Sequence, residues 1–172
     1  MNIFHSNVNG LESKFDTLHD FLAGANSAMD IIGITETSED NDNSFISNVS
    51  LDGYKLFHTP SLSRKGGSAL YVNQVFDVIE RADFKTQNNL FESVWIEIKN
   101  ANSKNIICGC IYRHPKVLKQ DFSDFLNYLD ATLKTLSAEN KEIYICGDFN
   151  IDLLKINDDT SCLEFYNLIN SY

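Results

Sequence analysis

Apolar residues recur along this chain with two different periods, and each period predicts a different kind of element. Helical spacing over residues 11–25, and again from Phe122 to Leu136, predicts two amphipathic helices. Asp121 or Ser123 stands where the second of these should begin. The segment 161–172 is predicted to be a further helix that reaches the C-terminus.

Short apolar runs predict the strands. The predicted ranges are 3–7, 30–35, 53–57, 68–72, 91–99, 106–112 and 142–146. Within 91–99, Val94, Ile96 and Ile98 should face one way and Ser93, Trp95 and Glu97 the other. The interval 100–103 is predicted to be a hairpin loop, and the polar stretch 37–53 a long loop.

Strands that alternate with helices and also pair through hairpins predict a layered α/β sandwich. A length of 172 residues fits one domain, and the sequence contains no repeat or linker. The pattern stops at Tyr172 without a closing turn, which favours an incomplete domain.

Charge and cysteine content narrow the possible functions. The net charge of −10 argues against a module that holds DNA mainly through phosphate contacts. It leaves open that the chain binds no nucleic acid, binds it weakly, or holds a divalent cation with its carboxylates. The four cysteines contain no CxxC pair, so reduced core thiols are expected rather than zinc ligands. No apolar run is long enough to span a bilayer, so no membrane association is expected.

Polar side chains fall at the ends of several predicted strands. They are Asn7, Glu36, Tyr112, Asp148 and Asn150. If these strand ends meet at one rim, two carboxylates, two amides and a phenol share a site. Hard oxygen ligands suit Mg²⁺, while amide and phenol donors suit phosphoryl oxygens.

Each of these residues also has an ordinary structural interpretation. Gly147-Asp148 is a common turn sequence, and Glu36 at a strand end is usually solvated. Asn7 fits a helix entry, and Tyr112 fits an ordinary strand aromatic. Taken singly they leave both interpretations open, and their joint occurrence favours a site.

Five segments occur together in an order that resembles a known family. They are His5-Ser6-Asn7-Val8-Asn9-Gly10-Leu11, Ile34-Thr35-Glu36-Thr37, Arg64 to Val72, Gly109 to Pro115 and Gly147-Asp148-Phe149-Asn150-Ile151-Asp152. They resemble the endonuclease/exonuclease/phosphatase superfamily, and most closely the apurinic-type endonuclease domain of non-long-terminal-repeat retrotransposons.

The resemblance implies a fold and a role for each matching residue. The fold would be a four-layer α/β/β/α sandwich of the DNase I-like type, missing its last strands, with residues 1–172 as the N-terminal two-thirds or so of the domain. Glu36 would ligate Mg²⁺ or Mn²⁺, with Asn7 in support. Tyr112 would contact the scissile phosphate, Asp148 would orient or activate water, and Asn150 would donate to the phosphate.

The implied reaction is hydrolysis of a DNA phosphodiester that leaves a 3′-hydroxyl for reverse transcription. The implied partners are DNA, bound weakly by this module alone, and a reverse transcriptase domain in the same polyprotein. A monomer is expected, intracellular, and nuclear when it acts on target DNA.

Two departures from the family pattern matter. Asn9 is neutral where repair relatives carry Asp. The family's C-terminal Ser-Asp-His has no counterpart, because no histidine follows His114. The chain is therefore expected to be inactive by itself, and none of His5, His19, His58 and His114 is expected to be catalytic. Two alternatives remain: an enzyme of the superfamily acting on a small phosphoester, and a non-catalytic relic of a mobile element.

Overall fold

The computed structural model describes residues 1–25, 27–38, 44–63, 65–115 and 118–172. No helix in these ranges is long and apolar enough to cross a membrane.

The first sheet has four strands in the order β1-β2-β4-β3. Along the chain these are β1 (Ile3–Asn7), β2 (Ile31–Thr35), β3 (Tyr54–Thr59) and β4 (Ser68–Asn73). β1 and β2 are parallel, whereas β4 runs antiparallel to both of its neighbours. All five β2 residues are buried, as its continuous apolar run predicts.

The second sheet has five strands. Along the chain these are β5 (Val78–Glu80), β6 (Thr86–Gln87), β7 (Phe91–Ile98), β8 (Ile106–Arg113) and β9 (Glu142–Asp148). The order is β5-β7-β8-β9, with β6 also pairing with β7. β7 and β8 form the predicted hairpin, and β8 and β9 are parallel. The sequence does not predict β5 and β6, which are too short to show a period.

The helices are α1 (Leu11–Ala23), α2 (Phe45–Asn48), α3 (Lys119–Ala138) and α4 (Thr160–Ile169), with a 3-10 turn at Leu153–Lys155. The prediction of an uninterrupted loop over 37–53 was wrong, since α2 lies within it. Phe45, Val49 and Leu51 from this stretch are buried, because they pack under α1 and the first sheet. Residues 39–43 of the same stretch lie outside the described residues.

Three apolar clusters separate four layers, which confirms the predicted α/β/β/α sandwich. One lies between α1 and the first sheet, one between the two sheets, and one between the second sheet and α3 with α4. β7 has the predicted faces: Val94, Ile96 and Ile98 pack between the sheets, and Trp95 packs towards α3. The sheets therefore bring β1 and β2 against β8 and β9 across the central core.

Candidate active site

Four strands place polar side chains at one rim of the sandwich. Asn7 ends β1, and Glu36 follows β2 directly. Tyr112 lies near the end of β8, opposite Asp148 at the end of β9. Because β1 with β2 and β8 with β9 are parallel pairs, their carboxyl ends meet at the same edge. The structure thus brings together the residues that the sequence placed at separate strand ends.

Asn7 joins the two carboxylates of the site. Its Nδ2 donates to Glu36 Oε1 at 2.8 Å and to Asp148 Oδ2 at 2.8 Å. Its Oδ1 accepts the backbone N–H of Asn9 at 3.2 Å, which fixes the amide. An amide with its N–H groups towards both carboxylates is the orientation that avoids oxygen–oxygen repulsion. Asn7 therefore sets the position of Glu36 relative to Asp148.

Tyr112 approaches Glu36 from the second sheet. Its hydroxyl donates to Glu36 Oε1 at 3.1 Å, and its side chain is 2% exposed. Burial, followed by the negative charge of Glu36, raises the pKa of Tyr112 well above its ordinary value. Tyr112 is consequently a fixed O–H donor rather than a phenolate.

Asp148 and Asn150 form one turn at the end of β9. The Asn150 backbone N–H donates to Asp148 Oδ1 at 3.0 Å, and Asn150 Nδ2 donates to the Arg113 carbonyl at 2.7 Å. Asn150 has φ 49, a left-handed conformation that Asn adopts more readily than most residues. Asp148 contacts Asn7 directly, whereas Asn150 holds the turn and joins the site through Asp148.

Arg113 supports this turn from beneath, a role that the sequence analysis did not assign. Its Nε donates to the Phe149 carbonyl at 2.6 Å and its Nη2 to the Asn150 carbonyl at 2.7 Å. The side chain is 6% exposed, and burial lowers its pKa, which the nearby Asp148 charge partly offsets. The sequence did contain a signal for this role, because Arg113 follows Tyr112 at the end of an apolar strand. A guanidinium buried there requires several hydrogen-bond acceptors nearby.

A glycine pair holds the Glu36 segment. The Glu36 and Ser38 backbone N–H groups donate to the Gly67 and Gly66 carbonyls at 3.0 and 2.9 Å. A β-carbon at Gly67 would come within 2.1 Å of Thr37 Oγ1, so this close approach needs glycine. The pair lies in the segment from Arg64 to Val72, one of the five that resemble the family. Arg64 itself lies outside the described residues.

A buried carboxylate, Glu92, supports the same turn. It is fully buried and accepts hydrogen bonds from Ser61 Oγ at 2.9 Å and from the Gly67 N–H at 3.3 Å. It also lies 3.0 Å from His114 Nε2. The His114 ring meets that of Tyr112 edge-on at 5.0 Å. His114 therefore has a structural partner behind Tyr112, which the sequence did not reveal.

His5 was also missed, although it stands two residues before Asn7 on β1. Its Nε2 lies 3.2 Å from Thr35 Oγ1, and its side chain lines a cleft of about 350 Å³ together with Asn7 and Asp148. Burial lowers the pKa of His5, and the nearby Cys146 and Asp148 oppose that shift. His5 is thus part of the cleft wall rather than a remote histidine.

The donor set at the rim fits Mg²⁺ better than a metal that needs a full protein cage. The two carboxylates converge on one amide. The described ranges contain no group of three or more His, Cys, Asp or Glu that could hold a metal. Mg²⁺ is commonly held by one or two carboxylates and keeps several waters, so Glu36 with its neighbours suits it.

An acidic groove of about 830 Å³ adjoins Asn150. Its charged lining residues are Arg113, Asp152, Lys155, Asp158, Asp159 and Glu164. Arg113 already serves the Phe149 and Asn150 carbonyls, so carboxylates dominate this surface. Such a surface disfavours a DNA backbone on this side of the site.

The sequence matches the Endonuclease/Exonuclease/phosphatase family over residues 4–160. The chain belongs to this family. No curated protein matches the sequence.

Solved structures of this kind share the fold. The endonuclease domain of TRAS1, a telomere-specific non-LTR retrotransposon, matches with a TM-score of 0.69 and 15% identity over 98% of this chain and 70% of that chain. The catalytic domain of Xenopus laevis APE2 matches with a TM-score of 0.69 and 16% identity over 97% and 67%. The 3′ phosphatase NExo from Neisseria, bound to product DNA hairpin, matches with a TM-score of 0.65 and 17% identity over 99% and 70%. Endonuclease/exonuclease/phosphatase proteins generally depend on divalent metals, in agreement with the oxygen-rich donor set at the rim.

Proposed function

We propose that this chain carries the site of a Mg²⁺- or Mn²⁺-dependent phosphodiesterase that nicks DNA. The observation that carries the proposal is the link from Asn7 to both Glu36 and Asp148, with Tyr112 donating to Glu36. If these residues only ended strands or formed turns, their side chains would have no reason to contact one another across two sheets. The resemblance to retrotransposon endonucleases supports DNA as the substrate.

Each side chain has a distinct task in this proposal. Glu36 would hold the metal, and Asn7 would keep the Glu36 and Asp148 carboxylates at their separation. Bound Mg²⁺ would offset negative charge on the non-bridging and leaving oxygens of the phosphate. The Tyr112 hydroxyl would donate to a phosphate oxygen, a task for which its raised pKa suits it, because the proton stays on at neutral pH.

Asp148 and Asn150 would act on the attacking side. An Asp148 carboxylate oxygen would accept a proton from water and orient that water towards phosphorus. One N–H of the Asn150 amide donates to the Arg113 carbonyl. The second N–H of the same amide would donate to the phosphate. The product would carry a 3′-hydroxyl able to prime reverse transcription.

The partners follow from the same proposal. DNA would be bound weakly by this module, because the net charge is −10 and the groove beside Asn150 is acidic. A reverse transcriptase domain in the same polypeptide would supply further affinity and use the nick. The protein would act as a monomer, in the nucleus when it meets target DNA, and away from membranes.

The acidic groove favours one second candidate, hydrolysis of a small phosphoester. A small substrate needs no basic track across the surface, so carboxylates beside the site would not oppose it. Hydrolysis of inositol phosphates by the gene product at a rate above its nicking of plasmid would favour this candidate.

The test of the proposal is nicking of supercoiled plasmid by the full gene product in Mg²⁺ or Mn²⁺. Asp148→Asn should lower the nicking rate at least about a hundredfold, the usual scale of a lost general base. The matched control is Asp158→Asn in the acidic groove, which should keep the rate. Absence of nicked circles with both metals, or equal rates for wild type and Asp148→Asn, would refute the proposal.

A further inference from the structure

Three cysteines meet between the two sheets, next to the candidate active site. Cys108 and Cys110 on β8 are fully buried, and Cys146 on β9 is partly buried. All three side chains belong to the apolar cluster between the sheets. A β-carbon at Gly33 on the facing sheet would come within 2.5 Å of Cys146 Sγ and 3.4 Å of Cys110 Sγ. The glycine therefore leaves the space in which these sulfurs gather.

The strand register selects one pair among the three. Cys110 and Cys146 are direct partners in the parallel ladder of β8 and β9, whereas Cys108 is opposite Tyr144. Neighbouring strands lie about 4.8 Å apart, within the roughly 4.4–6.8 Å between α-carbons that a disulfide spans. Cys108 is displaced by two residues, which puts its α-carbon roughly 8 Å from that of Cys146, too far for a disulfide.

We propose that Cys110 and Cys146 form a modification site, which a peroxide converts into a reversible disulfide that displaces Asp148. Hydrogen peroxide or an organic hydroperoxide is the oxidant. The proposed hydrolysis uses neither thiol, so formation of the disulfide does not depend on the proposed function.

The oxidation proceeds in two balanced steps. The Cys146 sulfur attacks the peroxide, the O–O bond breaks, and sulfenic acid forms while water or an alcohol leaves. The Cys110 sulfur then attacks the Cys146 sulfur, the S–S bond forms, and the S–O bond breaks. The hydroxyl leaves as water with the proton of Cys110. Two thiols lose two electrons, and the peroxide gains them.

Cys146 is the thiol that a peroxide can reach first. It lies on β9, whose outer edge is unpaired within the described part of the chain. A β-carbon at Gly33 would lie 2.5 Å from Cys146 Sγ and 3.5 Å from His5 Cδ2, so Cys146 is next to the His5 side chain that lines the cleft. Cys110 lies one strand further in and is fully buried, so it is placed to resolve a sulfenic acid rather than to meet the oxidant.

The disulfide would be strained and therefore easily reduced. Side chains from neighbouring parallel strands start about 4.8 Å apart, wider than the roughly 3.5–4.5 Å between the β-carbons of a relaxed disulfide. Bond formation must pull β9 towards β8. Strained disulfides have higher reduction potentials and are the labile ones, so a small thiol should restore the reduced form.

That pull acts on Asp148 through Gly147. A β-carbon at Gly147 would lie 1.9 Å from the Ile111 carbonyl oxygen, so β9 already touches β8 at this residue. Gly147 has no space to absorb the movement, which therefore passes to Asp148 and its bond with Asn7. The consequence for metal binding and hydrolysis rests on the proposed function.

The test is a non-reducing peptide map of the 172-residue chain after treatment with a few equivalents of hydrogen peroxide. The expected product is a Cys110–Cys146 linkage that dithiothreitol removes. Cys108→Ala should form the same linkage. Cys110→Ala should stop at a Cys146 sulfenic acid that dimedone traps. If that variant fails to fold, the wild-type map decides by itself. A linkage through Cys108 or Cys162, or an unmodified Cys146, would overturn the proposal.

A second measurement separates this inference from the proposed function. Mn²⁺ affinity of the oxidised chain should fall at least about tenfold below that of the reduced chain, as when a supporting partner of a metal ligand is lost. Equal affinity in the two forms would overturn the displacement of Asp148. A reduced chain that binds no Mn²⁺ would count against the proposed function and would leave the disulfide standing.

Discussion

At the scale of single residues, the site depends on the polar side chains at the rim and also on buried side chains that hold the backbone beneath them. Asn7 fixes two carboxylates, and Arg113 fixes the Phe149 and Asn150 carbonyls below them. Glu36 adopts a left-handed conformation with φ 54, which is unusual for a residue of its type. Such conformations persist only where surrounding bonds hold them, and the Gly67 carbonyl provides one here.

Tyr112 should keep its proton at pH values where ordinary tyrosines lose theirs. Its pKa is raised by burial and by Glu36, so the stability it contributes is present below pH 10.0 and is lost as the pH rises through the higher folded-state value. Tyrosinate absorbance of wild type and Tyr112→Phe should therefore coincide near pH 10.0. About half an additional tyrosinate in the wild type at that pH, the amount an ordinary tyrosine gives, would contradict the assignment.

Arg113→Lys should destabilise the fold although it keeps the charge. A lysine cannot donate to the Phe149 and Asn150 carbonyls in the same fork, so one buried carbonyl loses its partner, at a cost of about 1–3 kcal/mol. Urea denaturation measures the loss. Lys134→Arg on the exposed face of α3 is the control and should leave the midpoint unchanged. Equal midpoints for both variants would mean that Arg113 does not support the turn.

The sequence predicted the positions of Asn7, Glu36, Tyr112, Asp148 and Asn150 because each follows or ends an apolar run. It could not predict which of them touch, since the bond from Asn7 to Asp148 joins residues 141 positions apart. His5 and Arg113 were missed for the same reason, because their partners lie 30 and 36 positions away along the chain. The catalytic roles of Asn7, Tyr112, Asp148 and Asn150 and the metal binding by Glu36 stay predictions.

At the scale of elements, β9 carries the site and packs closely against β8. Gly147 has φ 147 and lies against the Ile111 backbone. Parallel pairing with β8 fixes Tyr112 opposite Asp148. The turn after β9 is therefore held by the pairing of β9 with β8 and by the Arg113 side chain.

Gly147→Ala should destabilise the fold far more than Gly53→Ala. Both glycines have positive φ, so both substitutions carry a conformational cost. A β-carbon at Gly53 would meet nothing within 4 Å, whereas at Gly147 it would overlap the Ile111 carbonyl. The difference should be about 1–3 kcal/mol or more, measured by urea denaturation. Similar losses for the two variants would show that crowding at β9 is unimportant.

An ion network fixes the other end of the second sheet to α3. Arg81 donates to Glu139 at 2.7 and 2.9 Å and to Glu97 at 2.9 Å, and Lys141 contacts both carboxylates. The Arg81 hydrogen bond is the main cause that lowers the pKa of Glu139 from 4.5 to about 2. A pair of this bidentate kind should contribute about 1–3 kcal/mol at neutral pH.

Glu139→Gln should therefore lower stability at neutral pH, with the difference vanishing in acid. Because the folded pKa lies below the unfolded one, the contribution is present above pH 4.5 and is lost as the pH falls towards 2. Thermal denaturation of wild type and variant across that range measures it. A difference that persists unchanged at pH 2 would contradict the ion-pair account.

The short elements explain where sequence prediction ended. β5 and β6 have three and two residues, so neither can show an alternating pattern, and both form because β7 offers them partners. α2 is a single turn of four residues in a polar stretch. Longer elements such as α3 and β8 were predictable because their apolar periods extend over several turns or pleats.

At the scale of the whole molecule, two sheets packed face to face put parallel strand pairs on either side of one rim. The sequence predicted a layered sandwich because its strands alternate with helices and also pair through hairpins, and the family resemblance implied four layers. The acidic charge could be predicted too, but not its concentration in the groove beside Asn150. Weak binding of DNA by this module was expected from the net charge, and it stays a prediction.

The central claim is that Glu36 and its neighbours hold a divalent cation for phosphodiester hydrolysis. The most direct measurement is a calorimetric titration of the 172-residue chain with Mn²⁺. Wild type should bind Mn²⁺, Glu36→Gln should bind it at least about tenfold more weakly, and Glu164→Gln in the acidic groove should bind as wild type does. No binding by wild type, or the same affinity with Glu36→Gln, would contradict the account.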